Sequence, residues 1–276
     1  MDINTVTSFR PARTRADLAL APGEVYMAGG TWLMSEPQPG TTGFVDLTTL
    51  GWPDIEVTQE GLRIGATCTI ARLIAWSRGH GTADAAPRPV EWIALDLIPD
   101  AANALLASFK IWNTATVGGN IARTFAAAAM VSLTAGLDGT ALIWRPNGGE
   151  RRIAVADFAT GNGTNVLEPG EVLRAIDLPA AALRSRALLR KVALAELGRS
   201  GSVVTARLDP DGSTTFVVTA ATLTPHVMRF AGIPDPAMLA AAVADASDFY
   251  TDPLGAADWR RAVSIVLAED LRQALA

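Results

Sequence analysis

The residues best suited to chemistry form a short string, Thr114-Ala115-Thr116-Val117-Gly118-Gly119-Asn120. Adjacent glycines let a backbone pass through φ > 0 and approach a bound group with no Cβ in between. Thr116 and Asn120 bring a hydroxyl and an amide to the same place. Far upstream, Ala28-Gly29-Gly30-Thr31-Trp32 carries a second glycine pair beside a hydroxyl. Hydroxyl, amide and paired glycines suit an anion, and two such loops suggest two backbone walls closing on one diphosphate. A tight structural turn explains either string as well.

Other reactive types are scattered. Cys68 stands between Thr67 and Thr69 at a helix start, where a thiolate is favoured, although a buried inert thiol fits the same pattern. Lys191 is alone in the apolar run Leu188-Leu189-Arg190-Lys191-Val192-Ala193-Leu194, facing solvent or reaching a bound anion. His80 and His226 lie far apart, so a zinc site is not expected. The acid pairs Asp209/Asp211 and Glu269/Asp270 fall in a turn and on a helix surface, and no serine–histidine–acid grouping stands out. The Gly-x-Gly-x-x-Gly fingerprint is absent after the first strand, as is a Walker loop.

Composition narrows the class. The chain has 276 residues, 49% hydrophobic and 18% charged, which is a folded chain with room for one large or two modest domains. A net charge of −5 argues against a nucleic-acid partner. One cysteine permits no intrachain disulfide and no iron–sulfur cluster held by this chain alone. No signal peptide is read at the N-terminus. The longest apolar stretch, residues 125–137, is too short for a membrane span. A cytoplasmic location is expected.

The elements that must position the two strings read as α+β. Residues 24–28 form a strand entering the first glycine pair, and Thr31 opens a helical turn stopped by Pro37 and Pro39. A strand is expected at 44–47 and a hairpin at 55–65. Thr69 caps a helix that ends at Gly79. Residues 79–90 read as a loop, followed by helices at 91–98 and 100–109 separated by Pro99. A single alanine-rich helix over 122–135 follows the second string. Pro146-Asn147-Gly148-Gly149 turns another hairpin, and a strand over 171–178 closes at Pro179. Composition shifts at 180–187, placing a boundary between 1–180 and 181–276. The second part reads as three antiparallel strands (188–194, 203–208, 215–223) and helices at 235–247 and 256–275. Trp259, Val263, Val266, Leu267 and Leu271 form the inner stripe of the last helix.

The order of motifs resembles the flavin-binding (medium) subunit of the molybdenum hydroxylases, which include xanthine dehydrogenases and aerobic carbon monoxide dehydrogenases. The resemblance is carried by Ala28-Gly29-Gly30-Thr31-Trp32-Leu33, Leu62-Arg63-Ile64-Gly65-Ala66, residues 113–122, Asp157-Phe158, residues 167–179 and Arg190-Lys191-Val192. It implies a two-lobed FAD-binding domain of the vanillyl-alcohol-oxidase type, then a small α+β C-terminal domain. By position, Ala28, Gly29, Gly30, Thr31 and Trp32 with Thr116, Val117, Gly118, Gly119 and Asn120 would line the FAD pyrophosphate. Leu173 and Lys191 match positions that approach the isoalloxazine ring. The implied role is electron transfer from 2Fe–2S clusters on a small partner subunit to NAD+, oxygen or another acceptor. Substrate would be oxidised at a molybdopterin cofactor on a large partner subunit. Two further readings stand beside it: a flavin-free structural subunit of such a complex, and a stand-alone flavin oxidoreductase on this fold. The chain departs from the family at Trp32, at Trp112, and at Arg123-Thr124-Phe125-Ala126, where a Ser-Pro and a later Asp are usual.

Overall fold

The computed structural model describes residues 3–80 and 85–276. Three short strands, β1 (Ser8–Pro11), β2 (Glu24–Met27) and β3 (Gly43–Asp46), form a parallel sheet in the order β1-β3-β2. β4 (Ile55–Val57) and β5 (Gly61–Gly65) make the expected hairpin. Helix α1 (Ile70–Ser77) starts where the Thr69 hydroxyl accepts the Arg72 N–H, and Gly79 follows it at φ +74°. Of the expected loop at 79–90, residues 81–84 lie outside the described residues.

Pro99 does not separate two helices. It sits in the first turn of α2 (Leu97–Ala104), where its missing N–H costs nothing. After α3 (Phe109–Trp112), the expected single helix over 122–135 is two: α4 (Val117–Arg123) and α5 (Ala129–Gly136). Thr124, left-handed at φ 49°, breaks them apart. Strands β6 (Thr140–Trp144) and β7 (Glu150–Ala154) form the second expected hairpin. A small hairpin, β8 (Ala159–Gly161) with β9 (Thr164–Asn165), was not anticipated from the sequence pattern. Strand β10 (Val172–Pro179) completes a five-stranded antiparallel sheet, β4-β5-β10-β6-β7. The largest core packs α1, α2, α4 and α5 with side chains of that sheet.

After the short α6 (Ala180–Leu183) come β11 (Arg186–Val192), β12 (Ser202–Leu208), β13 (Thr214–Thr219) and β14 (His226–Phe230). They form a four-stranded antiparallel sheet where three strands were expected. β13 stops at Thr219 because Ala220 turns left-handed, and the chain returns as β14. Helices α7 (Pro236–Ala244) and α8 (Ala257–Leu275) pack against this sheet over a second core. The expected α8 stripe is also corrected. Its buried face is Arg260, Ser264, Ala268, Leu271 and Leu275, while Val266 is exposed. Arg260 is tolerated there because its guanidinium donates to the Gly201 and Ala220 carbonyls and pairs with Asp252. No helix among the described residues is long and apolar enough to cross a membrane.

Candidate functional site

The upstream loop begins where β2 ends at Met27. Gly30 takes φ +66°, and the Met34 N–H then closes a helical turn on the Gly30 carbonyl at 2.8 Å. Between those points the N–H groups of residues 29–33 donate to no acceptor among the described residues. The segment is half-exposed, so these donors are open to a ligand. A run of free backbone N–H groups next to a left-handed glycine is a concavity for anions.

The downstream string behaves differently from the expectation. Thr116 is the N-cap of α4, its hydroxyl accepting the Gly119 N–H at 3.0 Å. The Val117 N–H donates to the Cys68 carbonyl and the Gly118 N–H to the Ala66 carbonyl, at 2.9 and 3.0 Å. The Asn120 N–H closes on the Thr116 carbonyl at 3.0 Å. All four N–H groups are thus engaged inside the chain. Nor do Gly118 and Gly119 have positive φ; both are helical. Gly118 is required for close approach instead, since a Cβ there would lie 2.6 Å from the Ala66 Cα. Gly119 is exposed, and a Cβ on it would meet only the Thr116 hydroxyl. Its open Cα face and the Asn120 Nδ2, which has no acceptor among the described residues, are what this wall presents. Asn120 Oδ1 is occupied, accepting the Met130 N–H at 2.9 Å and so tethering the start of α5.

The two loops meet. A Cβ on Gly29 would lie 1.9 Å from the Thr114 carbonyl oxygen, so only glycine lets them touch. Trp32 extends the contact: its ring is edge-on to Phe125, centroids 6.0 Å apart. The Arg123 guanidinium lies 3.8 Å from the Trp32 centroid and 4.0 Å from that of Phe125. The β8–β9 hairpin holds this segment in place. Asn165 Nδ2 donates to the Ala122 carbonyl, the Gly163 N–H to that of Thr124, and the Ala126 N–H to Asn162 Oδ1. Thus Trp32, Arg123 and Phe125, three departures from the family pattern, form one mutual contact. Sequence reading missed the hairpin; its signal was the Gly161-Asn162-Gly163 turn.

The surroundings of the remaining candidates are as follows. Leu173 is only 3% exposed and sealed in the core, so its side chain offers no surface to a ring. Lys191 is half-buried on β11, with Nζ donating to the Asn103 and Glu196 carbonyls at 3.1 and 3.3 Å. Cys68 is fully buried, and burial pushes its thiol well above the usual range, which supports the inert reading. His226 Nε2 shares a hydrogen bond with the Ala242 carbonyl. Trp112 packs at the edge of the main core, with Nε1 buried and unpartnered. Glu171 is buried against Arg151, whose hydrogen bond holds the carboxyl at about 2. Arg151 also donates to the Val166 carbonyl, so this pair fixes the turn that leads into β10.

The open donors and the touching loops, with no carboxylate at their junction among the described residues, suit the diphosphate of a dinucleotide. Solved structures of the same fold include the CO dehydrogenase from Oligotropha carboxidovorans, with TM-score 0.80 and 22% identity over 99% of this chain and 97% of that one. Quinoline 2-oxidoreductase from Pseudomonas putida 86 gives TM-score 0.76 and 20% identity over 97% of each chain. The carbon monoxide dehydrogenase from Hydrogenophaga pseudoflava gives 0.76 and 18%, over 96% and 95%. No curated protein matches the sequence. A family model described as the FAD binding domain in molybdopterin dehydrogenase matches residues 9–181. This chain belongs to that family of FAD-binding oxidoreductase subunits.

Proposed function

We propose that this chain is the FAD-carrying electron-transfer subunit of a cytoplasmic molybdenum hydroxylase complex. It would take electrons from 2Fe–2S clusters on a small partner subunit and deliver them to NAD+, oxygen or another acceptor. Substrate oxidation would occur at molybdopterin on a large partner subunit. The proposed division is an FAD-binding part, 1–180, and a C-terminal α+β part, 181–276. The observation that carries the reading is the run of open N–H groups at 29–33, placed against Thr114 and Ala115 by the Gly29 contact.

In this reading the open N–H groups of 29–33 supply dipoles to the phosphate oxygens, and Gly119 with Asn120 Nδ2 would line the opposite side. Bound FAD supplies the capacity to accept electrons singly and release them in pairs. The sealed Leu173 leaves only its backbone for the ring, and Lys191 would act on ring charge from its anchored position. The test is purification of the chain with the subunits that accompany it. A yellow complex that releases one FAD per chain on denaturation, and that loses electron transfer to an acceptor when the flavin is removed, is expected. A colourless complex that retains such transfer refutes the proposal, and a lone active monomer refutes the complex.

A further inference from the structure

We infer that Arg123 is a specificity-determining cation of the dinucleotide site, neutralising the diphosphate that the backbone loops cradle. This rests on the FAD reading above. The guanidinium is held between Trp32, from the upstream loop, and Phe125, from the segment after α4, so it sits where the two walls join. One side is fixed: Nη1 donates to the Gly163 carbonyl at 3.3 Å, and Gly163 leaves room because any Cβ there would lie 2.9 Å from that nitrogen. Nη2 has no acceptor among the described residues, and no carboxylate among them pairs with the group. Nε is buried without a hydrogen-bond partner among the described residues. Half-burial alone lowers the Arg123 pKa, the signature of a cation that has given up water without gaining an anion. A diphosphate placed on the open N–H groups of 29–33 would restore what Arg123 lacks. Backbone dipoles accept any anion, whereas a fixed planar cation favours the doubly charged bridge of a dinucleotide over an uncharged ligand.

The test uses the full chain freed of flavin, titrated with FAD and followed by flavin fluorescence, with ADP and adenosine as competitors. Arg123→Gln is expected to weaken FAD roughly ten- to a hundredfold, the range for losing a charge-assisted hydrogen bond. It should also shrink the advantage of ADP over adenosine. Arg123→Lys, which keeps the charge, should keep most of that advantage. Arg184→Gln, which removes an exposed charge elsewhere, should change neither. Thermal melts report on folding of each variant. Unchanged FAD affinity in Arg123→Gln overturns the inference and leaves the FAD reading standing. So does an equal loss of ADP and adenosine binding, or loss of the ADP advantage in Arg123→Lys. A wild-type chain that takes up no FAD overturns both.

Discussion

The two glycines at the start of α4 look alike in sequence, yet the structure gives them opposite reasons, which alanine substitution separates. A Cβ on Gly118 would lie 2.4 Å from the Ala66 Cβ and 2.6 Å from its Cα and carbonyl oxygen. Ordinary contact needs a retreat of about 1 Å, which over-packing places at roughly 1–3 kcal/mol. That retreat also stretches the Gly118 and Val117 N–H bonds to Ala66 and Cys68, now at 3.0 and 2.9 Å. Each is worth about 1 kcal/mol. The helical preference of alanine returns about 1 kcal/mol. Gly118→Ala should therefore lose roughly 2–4 kcal/mol, a fall in Tm of about 5–15 °C for a chain of this size. Gly119→Ala meets only the Thr116 hydroxyl, 2.8 Å away. Weakening that cap costs about 1 kcal/mol, and helix preference offsets it. Its Tm should stay within a few degrees of wild type, while its methyl occupies the open face and lowers FAD affinity. Calorimetry and flavin titration on both variants decide the matter. Equal Tm losses, or a Gly119→Ala chain that binds FAD as wild type does, would refute the reasoning.

Two further outcomes are expected. Glu171 is held at about 2 against an ordinary 4.5, so its pairing stabilises the fold at neutral pH. That contribution is full above about pH 4.5 and lost as pH falls toward 2, amounting to ~3 kcal/mol at most. Wild type should lose Tm across this window, and Glu171→Gln should start lower with a flatter profile; parallel profiles would show that the pair contributes nothing. At Asn120, Asp preserves the acceptor for the Met130 N–H but sets a negative charge beside the phosphate wall. Asn120→Asp should keep its Tm within a few degrees and lose at least about tenfold in FAD affinity, whereas Asn120→Ala should lose both. FAD binding undiminished in Asn120→Asp would remove this residue from the site.

Much of the fold was legible because the signals were local. Thr69 announced α1 by its capping hydroxyl, and Pro146-Asn147-Gly148-Gly149 announced the β6–β7 turn. What escaped depended on distant partners. Nothing local makes Thr124 break α4 from α5; its left-handed backbone is held by the β8–β9 hairpin, whose Gly163 N–H donates to the Thr124 carbonyl. The α8 face was misread because a buried arginine enters no apolar stripe unless carbonyls and Asp252 await it. At the site, the glycine strings were found for their freedom of φ, but Gly29 and Gly118 are needed for contact with Thr114 and Ala66. Trp32 and Arg123 read as departures from a family pattern only while they stood 91 positions apart in sequence; side by side they make sense of each other.

The capping of α4 by Thr116, with every N–H from 117 to 120 bonded within the chain, bears on how flavin uptake can be followed. That wall is bonded within the chain, so its amides should resist hydrogen exchange with or without flavin. The amides of 29–33 have no such partner and should slow only after loading. Exchange at 29–33 would therefore report flavin uptake, with the amides of 117–120 as the internal reference.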